Sequence, residues 1–217
     1  MTNSVALLHT APLLTQVFGD ALRSQAPKLE AYHLVDESLL QDTMKYGMLP
    51  RTRRKMVGYL ASAEDSGAAA VLVTCSSLGE AVEECRPMVS IPVVRVDEEM
   101  AREAVRAGDR IGVVATVDST LGPTRAIIER VAAEAGLDRQ ITALVCSGAF
   151  EALRAGDTAT HDARVAAEVR RLAESVDVLV LAQASMARVV GEIPDLGVPA
   201  LTSPESAVRA LAAAVRS

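Results

Sequence analysis

Short apolar runs recur along the chain, separated by stretches in which apolar residues return every three or four positions. The runs predict strands at Val5 to Thr10, Leu29 to Val35, Ala70 to Thr74, Val93 to Val96, Arg110 to Ala115, Ile141 to Val145, Val178 to Ala182 and Ala200 to Leu201. The intervening periodicity predicts helices, among them Glu98 to Arg106, Thr124 to Ala135, Ala163 to Ala173 and Glu205 to Arg216. Near-continuous apolar strands joined by helices imply an α/β fold whose mostly parallel sheet is covered on both faces. Ligands of such sheets bind beyond the carboxyl ends of the strands. The residues at those ends are His9-Thr10, Asp36-Glu37, Cys75-Ser76-Ser77, Asp97-Glu98, Thr116 and Gln183-Ala184-Ser185.

The pattern repeats. Ala70-Val71-Leu72-Val73-Thr74-Cys75-Ser76-Ser77 returns as Val178-Leu179-Val180-Leu181-Ala182-Gln183-Ala184-Ser185, which sets Gln183 opposite Cys75, 108 positions later. Ile91-Pro92-Val93-Val94 matches Val198-Pro199-Ala200-Leu201, and Val5 to Thr10 matches Ile111 to Thr116, at nearly the same offset. Three segments in one order at nearly one spacing indicate an internal duplication. The expected architecture is two pseudo-symmetric lobes, each a mostly parallel sheet flanked by helices, with the site in the cleft between them. If the helices after Ile91-Pro92 and Val198-Pro199 each cross to the other lobe, lobe one is 1–96 plus 207–217 and lobe two is 97–206. The alternative is one continuous sheet.

Composition narrows the function. The 217 residues are half hydrophobic, enough for a large buried core, yet no run approaches the roughly 18 apolar residues of a membrane span. The opening Met1-Thr2-Asn3-Ser4 carries no basic region leading into an apolar core, so no export signal is expected. A net charge of −6 and five aromatic residues argue against a nucleic-acid partner. Three cysteines without paired spacing suit a reducing cytoplasm.

Cys75 is the reactive candidate. A thiol where a strand turns into a helix meets unpaired N–H groups, which favour the thiolate and an anionic ligand. Cys85 and Cys146 read as small buried hydrophobes. His9 ends the first strand and is a candidate for the site, with Thr10; His33 reads as core or surface, and His161 as a solvated residue opening a helix. Asp36 and Asp97 read first as helix caps. A Cys-x5-Arg phosphate loop fails because position 81 is alanine, and Walker, G-x-S-x-G and G-x-G-x-x-G signatures are missing. No His/Cys spacing suggests a metal site.

The two-lobed repeat, the Thr74-Cys75-Ser76-Ser77 motif and the Ala182-Gln183-Ala184-Ser185-Met186 segment resemble the aspartate/glutamate racemase superfamily, which also holds hydantoin racemase, maleate isomerase and arylmalonate decarboxylase. The resemblance runs from Val5 to Thr202. It implies cofactor-independent proton transfer at a small carboxylate or amino acid, in the racemases between two cysteines on opposite faces of the substrate. It also implies a carboxylate held by Ser76, Ser77, Thr116, Thr120, Ala184 and Ser185, and a homodimer. The chain departs from that pattern at Gln183, which stands where the racemases carry their second cysteine; an amide does not exchange a proton as a thiol does. Three readings remain: a single-thiol isomerase based on Cys75, a decarboxylase-like lyase, and a non-catalytic binder of a small carboxylate that uses Gln183 as a hydrogen-bonding group.

Overall fold

In the computed structural model, which describes residues 3–216, the apolar runs form two separate four-stranded sheets, not one continuous sheet. The chain divides into two compact units, Met1–Val96 with Pro204–Ser217 and Asp97–Ser203.

The first unit contains β1 (Ser4–His9), α1 (Leu13–Gln25), β2 (Glu30–Val35), α2 (Glu37–Tyr46), α3 (Pro50–Asp65), β3 (Val71–Val73), α4 (Gly79–Cys85) and β4 (Val93–Arg95). Its strands are all parallel, in the order β2-β1-β3-β4. One face of the sheet packs Ala6, Leu8, Val71 and Val73 against Leu39 of α2 and Met56 and Leu60 of α3. Local chemistry sets the helix starts. Asp36 caps α2 by accepting a hydrogen bond from the Ser38 N–H at 2.9 Å, and Pro50 opens α3 where its missing N–H costs nothing.

The second unit repeats the plan with α5 (Glu98–Ala107), β5 (Arg110–Ala115), α6 (Asp118–Glu134), β6 (Gln140–Val145), α7 (Ala149–Arg154), α8 (Thr158–Ala173), β7 (Val178–Leu181), α9 (Ala187–Glu192) and β8 (Ala200–Thr202). Its parallel order, β6-β5-β7-β8, is the order of the first sheet. Ile111, Val113, Val178 and Val180 face α5 and α6, whereas Val114, Leu179 and Leu181 face α8 and Met186. The chain then forms α10 (Ser203–Arg216), nearly all of which lies in the first unit.

Two helices start earlier than their periodicity predicts. α6 begins at Asp118, not Thr124, because Pro123 falls in its second turn, where the lost N–H removes one hydrogen bond without ending the helix. α8 begins at Thr158, not Ala163, because Asp157 accepts the Thr160 N–H at 3.0 Å and caps it.

Each sheet reverses its winding between its first and third strands in chain order. That switch point is where loops diverge and leave room for a ligand. The residues just beyond it are Thr10 and Cys75 in one unit, and Thr116 and Gln183 in the other.

Candidate functional site

In the first unit, the register Leu8 to Val73 and the bond from the Thr74 N–H to the Leu8 carbonyl (3.0 Å) bring the ends of β1 and β3 side by side. Cys75 keeps an extended backbone, and Ser76–Leu78 then make a single 3-10 turn that runs into α4. The thiol is buried, 9% exposed, and meets the Thr10 hydroxyl, the Ser77 N–H and hydroxyl, and the Leu78 N–H. Burial pushes its pKa up, and those four donors pull against it without overcoming it. The donors are the ones expected of a helix start, but the free protein holds Cys75 as a thiol. This corrects the expectation of a favoured thiolate: desolvation outweighs a turn this short. Cys85 and Cys146 are buried with raised pKa values too, Cys146 to about 11.

His9 and Thr10 point to opposite faces because they are consecutive on an extended chain. The His9 ring is fully buried and tilted against Phe18 of α1. Its Nδ1 lies 2.8 Å from the Thr74 hydroxyl, and its Nε2 lies 2.7 Å from Nδ1 of His33. Thr74 spends its one proton on the Leu8 carbonyl (3.1 Å), so His9 donates through Nδ1 and accepts at Nε2 from His33. Both rings are thereby fixed in their tautomers. Burial, and then the neighbouring His33, lower the His9 pKa to about 4; burial also lowers that of His33. His9 therefore ties the strand ends together from the face opposite the thiol.

The second unit builds the same corner with different chemistry. Gln183 keeps the extended backbone of Cys75, and Ala184–Met186 repeat the 3-10 turn. The Thr116 N–H and hydroxyl both donate to the Gln183 Oε1, at 2.6 and 2.9 Å. A backbone N–H can meet only the amide oxygen, which fixes the orientation of the amide. Gln183 and Ser185 are half-buried, and Ala184 and Thr120 are buried. Thr10 thus stands to Cys75 as Thr116 stands to Gln183.

The sequence profile of the Asp/Glu/Hydantoin racemase family matches residues 11–211. The chain belongs to that family. Comparison with curated proteins found no match. Among solved structures, this racemase-family chain is similar to glutamate racemase RacE1 from Bacillus anthracis, at 18% identity and a TM-score of 0.73, over 98% of this chain and 81% of that one. It is similar to allantoin racemase from Klebsiella pneumoniae at 18% identity and a TM-score of 0.70, over 98% and 87%. An aspartate racemase from Picrophilus torridus matches at 13% identity and a TM-score of 0.75, over 98% and 94%. These likenesses establish the two-sheet racemase fold.

This family member also holds groups that the sequence reading passed over. Arg95, a lone charge in Val93-Val94-Arg95-Val96, is buried at the end of β4, with Glu83 of α4 3.5 Å away. It lies against Gly79, where a Cβ would come within 2.4 Å of its guanidinium carbon. The isolation of that charge in an apolar strand was a readable signal. His33 carried a weaker one, since only the β1–β2 register, which pairs it with Leu7, makes it a diagonal neighbour of His9. His161 is not solvated. It is fully buried in the first turn of α8, 2.6 Å from Asp162, whose carboxylate is gripped by Arg188 of α9. Asp36 is a cap held further by the Tyr59 hydroxyl at 2.9 Å, whereas Asp97, buried at the N-cap position of α5, makes no side-chain capping bond to that helix. Among the described residues, no cluster of three or more His, Cys, Asp or Glu could hold a metal, and no helix is long and apolar enough to cross a membrane.

Proposed function

We propose that the protein is a cofactor-independent isomerase of a small carboxylate or amino acid, in which Cys75 is the one thiol that moves a proton. The observation that carries this reading is the unequal chemistry of two equivalent corners. One holds a cysteine ringed by four hydrogen-bond donors, and the other holds an amide locked onto Thr116. Reaction starts from the minor thiolate form of Cys75, whose proton has passed to solvent; that thiolate removes the proton α to the carboxylate and becomes a thiol, while the electron pair passes into an enolate. The Thr10, Ser77 and Leu78 donors stabilise the sulfur anion before transfer. The Cys75 thiol, or water, then returns a proton to the enolate carbon. The protein acts in the cytoplasm as a homodimer on this reading.

The test is hydrogen exchange in deuterated water. Candidate acids should lose their α-proton signal by NMR when the protein is present, with retention faster than inversion. Cys75→Ala should abolish exchange. Equal exchange by Cys75→Ala would show that another group is the base. A second reading, a non-catalytic carboxylate binder, draws on the raised pKa of Cys75, which leaves little thiolate near neutrality. It predicts binding without exchange across the same acids.

A further inference from the structure

We infer that Gln183 is a specificity-determining residue that selects an acid with a neutral carbonyl over one with a second carboxylate. The inference deepens the carboxylate-binding reading above and rests on it. The Thr116 N–H and hydroxyl converge on one oxygen, at 2.6 and 2.9 Å. Two donors aimed at one point are the arrangement that holds a carboxylate or oxyanion. Here that point is already filled by an oxygen of the chain itself, the Gln183 Oε1. A ligand carboxylate can take it only by evicting the amide, which leaves the amide oxygen without the two bonds it now accepts.

With Oε1 engaged, the amide has one end to offer. Its –NH2 makes no hydrogen bond among the described residues. That end is a neutral donor. It pairs with a carbonyl oxygen as well as with a carboxylate, and it cannot accept a hydrogen bond from an ammonium group. Neutrality sets the preference. A second carboxylate arrives without a countercharge from Gln183 or Thr116 and must shed its water, whereas a carboxamide or ketone carbonyl forms the same bond at a far smaller desolvation cost. In the first unit the equivalent thiol leaves the Thr10 hydroxyl on sulfur.

Succinate and succinamate are matched probes, equal in length and different only in one terminal group. Calorimetric titration of the parent protein should give tighter binding of succinamate. Gln183→Ala vacates the Thr116 donors and should shift the succinate-to-succinamate ratio of Kd values at least tenfold towards succinate. Gln183→Glu keeps an oxygen on Thr116 but replaces the –NH2 by a charged acceptor, and should weaken both ligands at least tenfold. A ratio unchanged in Gln183→Ala, or binding of both acids kept by Gln183→Glu, overturns the inference, as does a parent that prefers succinate or binds neither acid. The two proposals fail separately. An unchanged ratio with exchange that still requires Cys75 removes only the role of Gln183, and a shifted ratio with exchange surviving Cys75→Ala removes only the thiol.

Discussion

The Thr10 hydroxyl and the amides of Ser77 and Leu78 decide how readily Cys75 ionises, against a burial that opposes ionisation. Removing one donor should tip that balance further. Thr10→Val keeps the shape of the side chain and deletes the hydroxyl, so the pH midpoint for alkylation of Cys75 should move upward and Thr10→Ser should restore it. The parent midpoint should itself lie above the ordinary cysteine value of about 8.5. Peptide mapping after timed iodoacetamide treatment from pH 7 to 10.5 reads this directly; a Thr10→Val midpoint at or below the parent value would remove Thr10 from the thiol's surroundings. Cys75, Gln183, Thr10 and Thr116 were legible in the sequence because each ends an apolar run, and a run's end is where a parallel sheet presents its chemistry. The state of the thiol was not legible. It depends on how completely Leu78, Val82 and their neighbours exclude water, which spacing along a chain does not reveal.

At the level of single elements, α4 is short and lacks a side-chain cap, so its position depends on what it leans on. Arg53 of α3 grips it through Glu80, at 2.6 Å, and Glu84. Arg95 approaches from β4, and the approach is possible only because residue 79 has no Cβ. Gly79→Ala should lower stability by about 1–3 kcal/mol, since Arg95 is buried and has little room to withdraw. In an Arg95→Ala background the same change should cost much less. Urea denaturation of the two single variants and the double variant measures the coupling, and strictly additive losses would refute a clash. Strand positions were the most legible part of the fold, because short apolar runs such as Val5–Leu8, Ala70–Val73 and Val178–Ala182 have few other places to go. Helix starts were less so. Pro123 reads as a stop signal, yet it sits early enough in α6 to be tolerated, and the Asp157 cap lies outside the apolar period that marks α8.

For the molecule as a whole, acid should act first through the paired histidines. His9 is held neutral with a pKa of about 4 against about 6.5 in an unfolded chain, and that of His33 is lowered as well. The unfolded state therefore binds more protons between these values. Stability is complete above about pH 6.5 and falls as the pH drops towards 4, by on the order of 3 kcal/mol for His9. Asp177, lowered to about 2 by its bonds to Arg110, adds its loss only under more acidic conditions, below the ordinary carboxylate value of 3.8. Urea midpoints between pH 7.5 and 4.5 should fall more steeply for the parent than for His9→Gln, and parallel slopes would reject the assignment. The duplicated architecture was visible in the spacing of three segments, but the partnership of His9 with His33 required the strand order. The placement of α10 has a further consequence, for the order of synthesis. The second unit is one continuous stretch, Asp97–Ser203, whereas the first takes its opening 96 residues from one part of the chain and α10 from another. On the ribosome, the first unit lacks α10 until the whole of the second unit has been translated. The half of the protein made first is thus the half finished second, and it is the half that a chaperone would have to guard.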